Sequence, residues 1–256
     1  FISEHFRLKA RVSYSERTDK QEKFTDPESA IYNESDYQDG EGILKRGEAY
    51  SFHEKSSNLD MNVVFSYNQQ LGSHFLNAVL GGNVIETRFE NESYSVIGFP
   101  SGSMDYISFG KEFKDLTPEG SEGLSRLVGL FVNLNYTWNN IYLLDLSGRL
   151  DGSSKFGSKK RYAPFWSAGI GWNVHNEKFF EGLKGVINHL KFSANVGATG
   201  KASFEAYEAQ DVYEYYKGQW YAGGLGVIMN NMGNTNLQWE KTHTFDGNFE
   251  IQFLNG

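Results

Sequence analysis

"LLDLSGRLDGSSKFGSKKRYAPFWSAGIGW", residues 143–172, holds two short alternating apolar runs with Gly, Ser, Lys and Arg between them. The connecting DGSSKFG (151–157) has three readings: a phosphate cradle, a metal loop, or the turn between two strands. No helix start follows it to supply amide donors to a phosphate. Asp151 is its only carboxylate, too few for a hard cation that wants several oxygen ligands. The turn reading remains, with the chain passing through Gly152–Ala163 and entering the next strand at Phe165.

The same period-two pattern extends outward in both directions. Before the turn, Tyr142, Leu144, Leu146 and Leu150 oppose Asp145, Ser147, Arg149 and Asp151; after it, Trp166, Ala168, Ile170, Trp172 and Val174 oppose Ser167, Gly169, Gly171 and Asn173. Toward the N-terminus, residues 5–14, 58–68 and 124–136 alternate in the same way. Toward the C-terminus, 189–199 and 240–253 do too. Alternation with period two is the signature of strands with one apolar face. WNN at 138–140 reads as a tight Asn-Asn turn, whereas 17–47, 88–121 and 200–235 read as long polar loops. One helical signal occurs, NEKFFEGLKGV at 176–186, with Phe179, Phe180 and Leu183 on one side and Asn176 as its N-cap.

Composition narrows the function classes. The 256 residues carry 16% aromatics, 28 Gly and only 4 Pro, which suits many strands joined by Gly-containing turns. A net charge of −8 argues against a nucleic-acid partner. With no Cys there is neither a disulfide framework nor a thiolate metal site. No P-loop, Gly-x-Ser-x-Gly elbow or paired-His metal motif is present, so nothing supports an enzyme, and no cofactor is expected. No apolar window reaches the length of a transmembrane helix, but barrel strands need only about 9–11 residues. The chain opens and closes in mid-pattern, without a signal peptide, and is expected to be an internal piece of a longer protein.

Two architectures fit the strands: a soluble β-sandwich that binds glycans, or a transmembrane barrel. Short turns alternating with long loops favour the barrel, as do Tyr14, Tyr67, Tyr136, Tyr142, Trp166 and Trp172 at the ends of apolar faces, where interfacial girdles sit.

Residues 136–180, YTWNNIYLLDLSGRLDGSSKFGSKKRYAPFWSAGIGWNVHNEKFF, then carry a specific resemblance. Tyr142-Leu143-Leu144, the run Arg149 to Gly157, Gly171-Trp172 and Glu177-Lys178-Phe179 resemble the diagnostic region of SusC/RagA-like TonB-linked outer-membrane proteins of Bacteroidetes-type bacteria. LKFSANVGATGK (190–201) and NTNLQWEKTHTFDGNFEIQFLNG (234–256) resemble two further family blocks. Trp166, Lys201 and Asn236 depart from the family's usual Pro, Asn and Asp, as subfamily variation. Residues 1–120 carry no comparable motif and rest on the strand pattern alone.

The resemblance implies an all-β antiparallel barrel of about 22 strands, of which residues 1–256 would supply about ten, without the plug, the N-terminal domain or the closing C-terminal strands. It also implies active import of oligosaccharides or peptides across the bacterial outer membrane. TonB would supply the energy, a SusD-like surface lipoprotein would act as the lid, and outer-membrane lipid would surround the wall; a passive porin or adhesin barrel is the alternative. The DGSSKFG turn would then be extracellular. Arg149, Asp151, Gly152, Phe156, Gly157, Gly171, Trp172 and Trp239 would be structural signature residues of the wall. Tyr207, Tyr213, Tyr215, Tyr216, Trp220 and Tyr221 are candidates for contacts with substrate or lid, through stacking on sugar rings or packing on protein. In the acidic stretch 26–42, Asp36, Asp39 and Glu41 are a weak Ca²⁺ candidate lacking the spacing of a known loop.

Overall fold

A computed structural model describes residues 4–115, 117–157, 160–201, 204 and 207–253, with the side chains of 217–220 outside that description. Eight long strands form one antiparallel wall: β1 (Phe6–Thr25), β2 (Glu48–Leu71), β3 (His74–Ile97), β5 (Glu119–Trp138), β6 (Tyr142–Ser153), β7 (Tyr162–Asn173), β8 (Ile187–Lys201) and β11 (Glu240–Phe253), paired in that order. The two-residue β4 (Glu112–Phe113) pairs with β3, and β9 (Val212–Tyr221) with β10 (Gly224–Asn231) makes a separate two-stranded sheet.

Register explains why the alternation was readable. Cross-strand partners share a face, and one row across the wall runs Phe6, Tyr67, Ala78, Leu134, Leu146, Ala168, Val196, Phe245. Every member is apolar. The next row runs Arg7, Ser66, Val79, Asn133, Ser147, Ser167, Gly197, Thr244 and is polar but for Val79 and Gly197. A slip of one residue in any strand would exchange the two faces. The apolar face is uncovered: Leu80 is 59% exposed and Ile170 is 64% exposed. No second sheet packs on it among the described residues, as a sandwich would require. Lipid is the solvent that such a face requires.

An aromatic row closes the apolar band on the short-turn side. His74, Trp138, Tyr142, Trp172, Phe192 and Phe249 lie in one register row. Neighbouring rings are 6.2 Å apart for His74–Trp138, 5.6 Å for Trp138–Tyr142 and 5.1 Å for Phe192–Phe249. On β3 the apolar face then continues through Leu76, Ala78, Leu80, Gly82 and Val84 up to Glu86, whose carboxylate meets Arg126 at 2.6 Å. Twelve residue steps separate His74 from Glu86, about 40 Å along the strand and about 30 Å along the membrane normal at the usual tilt.

Above that level the strands depart from expectation. β1, β2, β3 and β5 have 20, 24, 24 and 20 residues, and consume much of what reads as loop at 17–47 and 88–121. At their tips Phe24, Ala49, Tyr94 and Val96 pack with Phe99 and Ile107 into a small core; below those tips both faces are largely exposed, so nothing selects an alternating pattern, yet the backbone ladder continues. Charged pairs lace them, including Lys55–Glu16 at 3.1 Å and Lys20–Glu22 at 2.8 Å. β6 and β7 stop at 12 residues, so the wall steps down beyond β5.

The turns follow local chemistry. Asn139 and Asn140 both take left-handed φ, 55° and 57°, and Ile141 N–H donates to the Trp138 carbonyl at 2.9 Å. That is the primed turn an Asn-Asn pair tolerates and a right-twisted hairpin requires. The helix expected at 176–186 is instead two 3₁₀ segments, Val174–Asn176 and Lys178–Leu183. Asn176 does not cap it; its side-chain amide donates to the Asn140 carbonyl at 2.9 Å.

Candidate functional site

The polar face of the wall forms a hydrogen-bonded lining. Asn77 donates to Asn135 at 3.2 Å and Asn135 donates to Asp145 at 2.5 Å, a ladder across β3, β5 and β6. Ser147 and Ser167 share a 2.6 Å bond between β6 and β7. Higher up, Arg149 Nε donates to Asp151 Oδ2 at 2.6 Å, Arg149 Nη2 donates to Asn83 Oδ1 at 2.9 Å, and the guanidinium lies 5.6 Å from the centroid of Phe131. Gly129 makes room for this knot: a Cβ there would collide with Arg149, Asn83 and Asp151 together. Asp151 is 8% exposed, and its Oδ1 and the Oδ1 of Asn77 find no partner among the described residues.

The DGSSKFG turn is a packing device. β6 ends at Ser153 and β7 starts at Tyr162, so the turn spans 154–161. Phe156, 1% exposed, is buried with Ala163, Phe165 and Trp239, against Leu127, Phe204 and Leu237. Gly157 lies against the Thr235 backbone, where a Cβ would not fit, and the Trp239 indole N–H donates to the Arg161 carbonyl at 3.4 Å. Phe156, Gly157 and Trp239 thus meet, tying the turn to the entry of β11. Gly152 lies under the Tyr162 ring and Gly171 against Leu143. Trp172 belongs to the aromatic row.

The aromatic stretch read as a loop at 200–235 contains the β9–β10 hairpin. Tyr213 pairs with Met229 and Tyr215 with Val227, which puts these four on one face; Tyr216 and Glu214 share the other with Ile228. Tyr213 is 57% exposed and Tyr215 is 68% exposed. Tyr221 sits at the hairpin turn, and the Trp220 side chain lies outside the described residues. Tyr207 stands apart: at φ 71° it places its hydroxyl to accept from Leu124 N–H at 3.2 Å, so it braces β5. Register shifts in both strands of the hairpin blur its alternation.

The acidic stretch is a structured cap. Asp39 accepts from Gly42 N–H at 2.6 Å as N-cap of a four-residue helix, Gly40–Ile43, and Asp36 accepts from the Ser35 hydroxyl. The structure does not gather Asp36, Asp39 and Glu41: among the described residues no group of three acidic or His side chains could hold a metal. Arg46 instead fastens this region, donating to the Tyr37 carbonyl at 2.9 and 2.7 Å. At the base of the cap, Lys114 donates to both oxygens of Glu48, at 3.1 and 2.9 Å. Burial alone would raise the Glu48 carboxyl, but bonds from Lys114 and Ser95 and the lysine charge hold it below its ordinary value. The bond to Glu48 raises Lys114.

Known proteins share this pattern. TonB-dependent receptor P3 of Formosa agariphila is 27% identical over 209 residues, covering 80% of this chain and 20% of that protein. TonB-dependent receptor SusC of Bacteroides thetaiotaomicron is 29% identical over 210 residues, covering 78% and 20%. The chain therefore spans about a fifth of the length of these relatives. The fold superposes on the RagAB peptide transporter with a TM-score of 0.86 at 23% identity, over 99% of this chain and 27% of that one. The family model of the TonB-dependent receptor-like β-barrel matches residues 2–256, and this chain is an outer-membrane β-barrel wall belonging to that family.

Proposed function

We propose that the chain is part of the wall of an active nutrient importer of the bacterial outer membrane, driven through TonB and working with a SusD-like surface lipoprotein. The supporting observation is the two-faced register: an apolar face needing lipid, and a polar face whose Arg149–Asp151–Asn83 knot and Asn77–Asn135–Asp145 ladder line a wet interior. The long strands form the extracellular rim, and the aromatic hairpin stands at that end to meet substrate or lid. Its Tyr faces suit sugar rings and peptide side chains alike, so the cargo class is oligosaccharide or peptide.

Deletion of the full-length gene in the source bacterium tests this. Uptake of labelled oligosaccharides or of labelled peptides is expected to fall, and to stop in wild-type cells given a protonophore. Uptake that survives the protonophore would make the protein a passive porin. The lipoprotein is expected to co-purify with the full-length protein in detergent.

A further inference from the structure

On the short-turn side, the chain between β7 and β8 does more than reverse direction. Val174 and Phe180, 4% and 2% exposed, pin residues 174–186 to the protein. The other large apolar side chains of the segment turn away. Phe179 is 66% exposed, Leu183 50% and Val186 56%. A Cβ added at Gly182 or Gly185 would meet no atom within 4 Å. The described protein therefore leaves this side of the segment open.

The segment is nevertheless fastened to the lipid-facing aromatic row. The Glu177 carboxylate accepts from the Tyr142 hydroxyl at 2.7 Å and from the Trp172 indole N–H at 3.1 Å. The Phe179 ring lies 6.5 Å from that of Trp172, edge to face. Tyr142 and Trp172 belong to the apolar face, so Phe179 extends that face past the last strand residue. Lys178 and Lys184 flank it on the exposed surface.

We propose that residues 177–186 are an interfacial membrane anchor. Phe179 and Leu183 enter the acyl boundary of the leaflet on the short-turn side, and Lys178 and Lys184 lie at the level of its phosphates. Exposed aromatic and aliphatic side chains flanked by lysines are what interfacial segments carry. The occupant is lipid because the surface continues, ring against ring, from a row the bilayer already covers. The segment adds a second tier of contact below that row and fixes the depth of this sector of the wall.

The test rests on the outer-membrane barrel reading and separates its failure from that reading's. Single cysteines at Phe179, Ser73 and Leu130 of the full-length protein, freed of other cysteines, receive a nitroxide label in phosphatidylethanolamine–phosphatidylglycerol vesicles. Accessibility to oxygen, which favours lipid, is compared with accessibility to a water-soluble nickel chelate. Position 179 is expected to favour oxygen, at a shallower depth than Leu130 in the band. A label at 179 as nickel-accessible as at Ser73, or shielded from both reagents by protein, overturns the anchor. A nickel-accessible label at Leu130 would overturn the barrel reading itself.

Discussion

The indole of Trp239 lies on the ring of Phe156, centroids 4.8 Å apart and planes at 31°, joining the β6–β7 turn to the first residue before β11. Phe156→Ala or Trp239→Ala leaves a hole in this small core and is expected to cost about 3–5 kcal/mol, while Phe156→Leu costs markedly less. Urea titration of the full-length protein in detergent, followed by tryptic cleavage within 154–161, checks it. Equal protection in the Ala and Leu variants would remove the packing role.

Arg149→Ala strands the Asp151 carboxylate, whose side chain is only 11% exposed. Breaking one partner of such a pair is expected to cost about 3 kcal/mol, and the double variant Arg149→Met/Asp151→Leu is expected to cost less than Arg149→Ala alone. Unfolding midpoints of the two variants decide it. Gly129→Ala is expected to destabilise by about 1–3 kcal/mol, because the knot has no room for a methyl.

The Glu48–Lys114 pair carries a pH signature. Glu48 is depressed in the folded state, so its contribution is full above the ordinary carboxyl value of 4.5 and is lost as pH falls through the lower folded value. Lys114 is raised above 10.5, so its side of the pair persists below that value and fails only as pH rises past the folded one. Protease sensitivity of residues 98–118 is expected to rise below pH 4.5 in the parent. In Glu48→Gln it should be high and flat across the acid range. The pair is half exposed, so the effect on global stability is small.

Alanine at Tyr213 and Tyr215 removes the two exposed rings of one hairpin face. Affinity of the full-length protein for the proposed oligosaccharide or peptide cargo, or for the proposed lipoprotein, is expected to fall about tenfold, equivalent to about 1.4 kcal/mol. Calorimetric titration of both ligands should show it; if neither affinity moves, the hairpin is no contact surface.

The sequence made the membrane-level wall legible, because the two solvents on either side of each strand write an alternation into it. Leu144 against Asp145, or Val132 against Asn133, states its face directly. Residues 17–23 and 88–93 state nothing, because both faces are largely exposed there and Arg17, Asp19 and Lys20 serve equally on either; at the tips, Phe24, Tyr94 and Val96 pack against Phe99, a contact with no local signal. The β9–β10 hairpin stayed hidden for another reason: bulges between Leu225 and Gly226, and between Met229 and Asn231, shift the alternation midway. The family blocks marked Phe156 and Trp239 as structural, but their stacking across four intervening strands has no local signal in either stretch.

The step in the wall beyond β5 leaves Glu119–Arg126 without a strand partner on one flank among the described residues, a template on which a foreign chain could add itself. Two amides there are already taken: Leu124 N–H by the Tyr207 hydroxyl, and Arg126 N–H by the Ser154 hydroxyl at 2.8 Å. Further up, Glu119 and Glu122 bring charge, and Gly120 and Gly123 offer no side chain to zip against. Aggregation is thus discouraged where the rim drops, so the step in strand length does not make the wall adhesive to a second copy of itself.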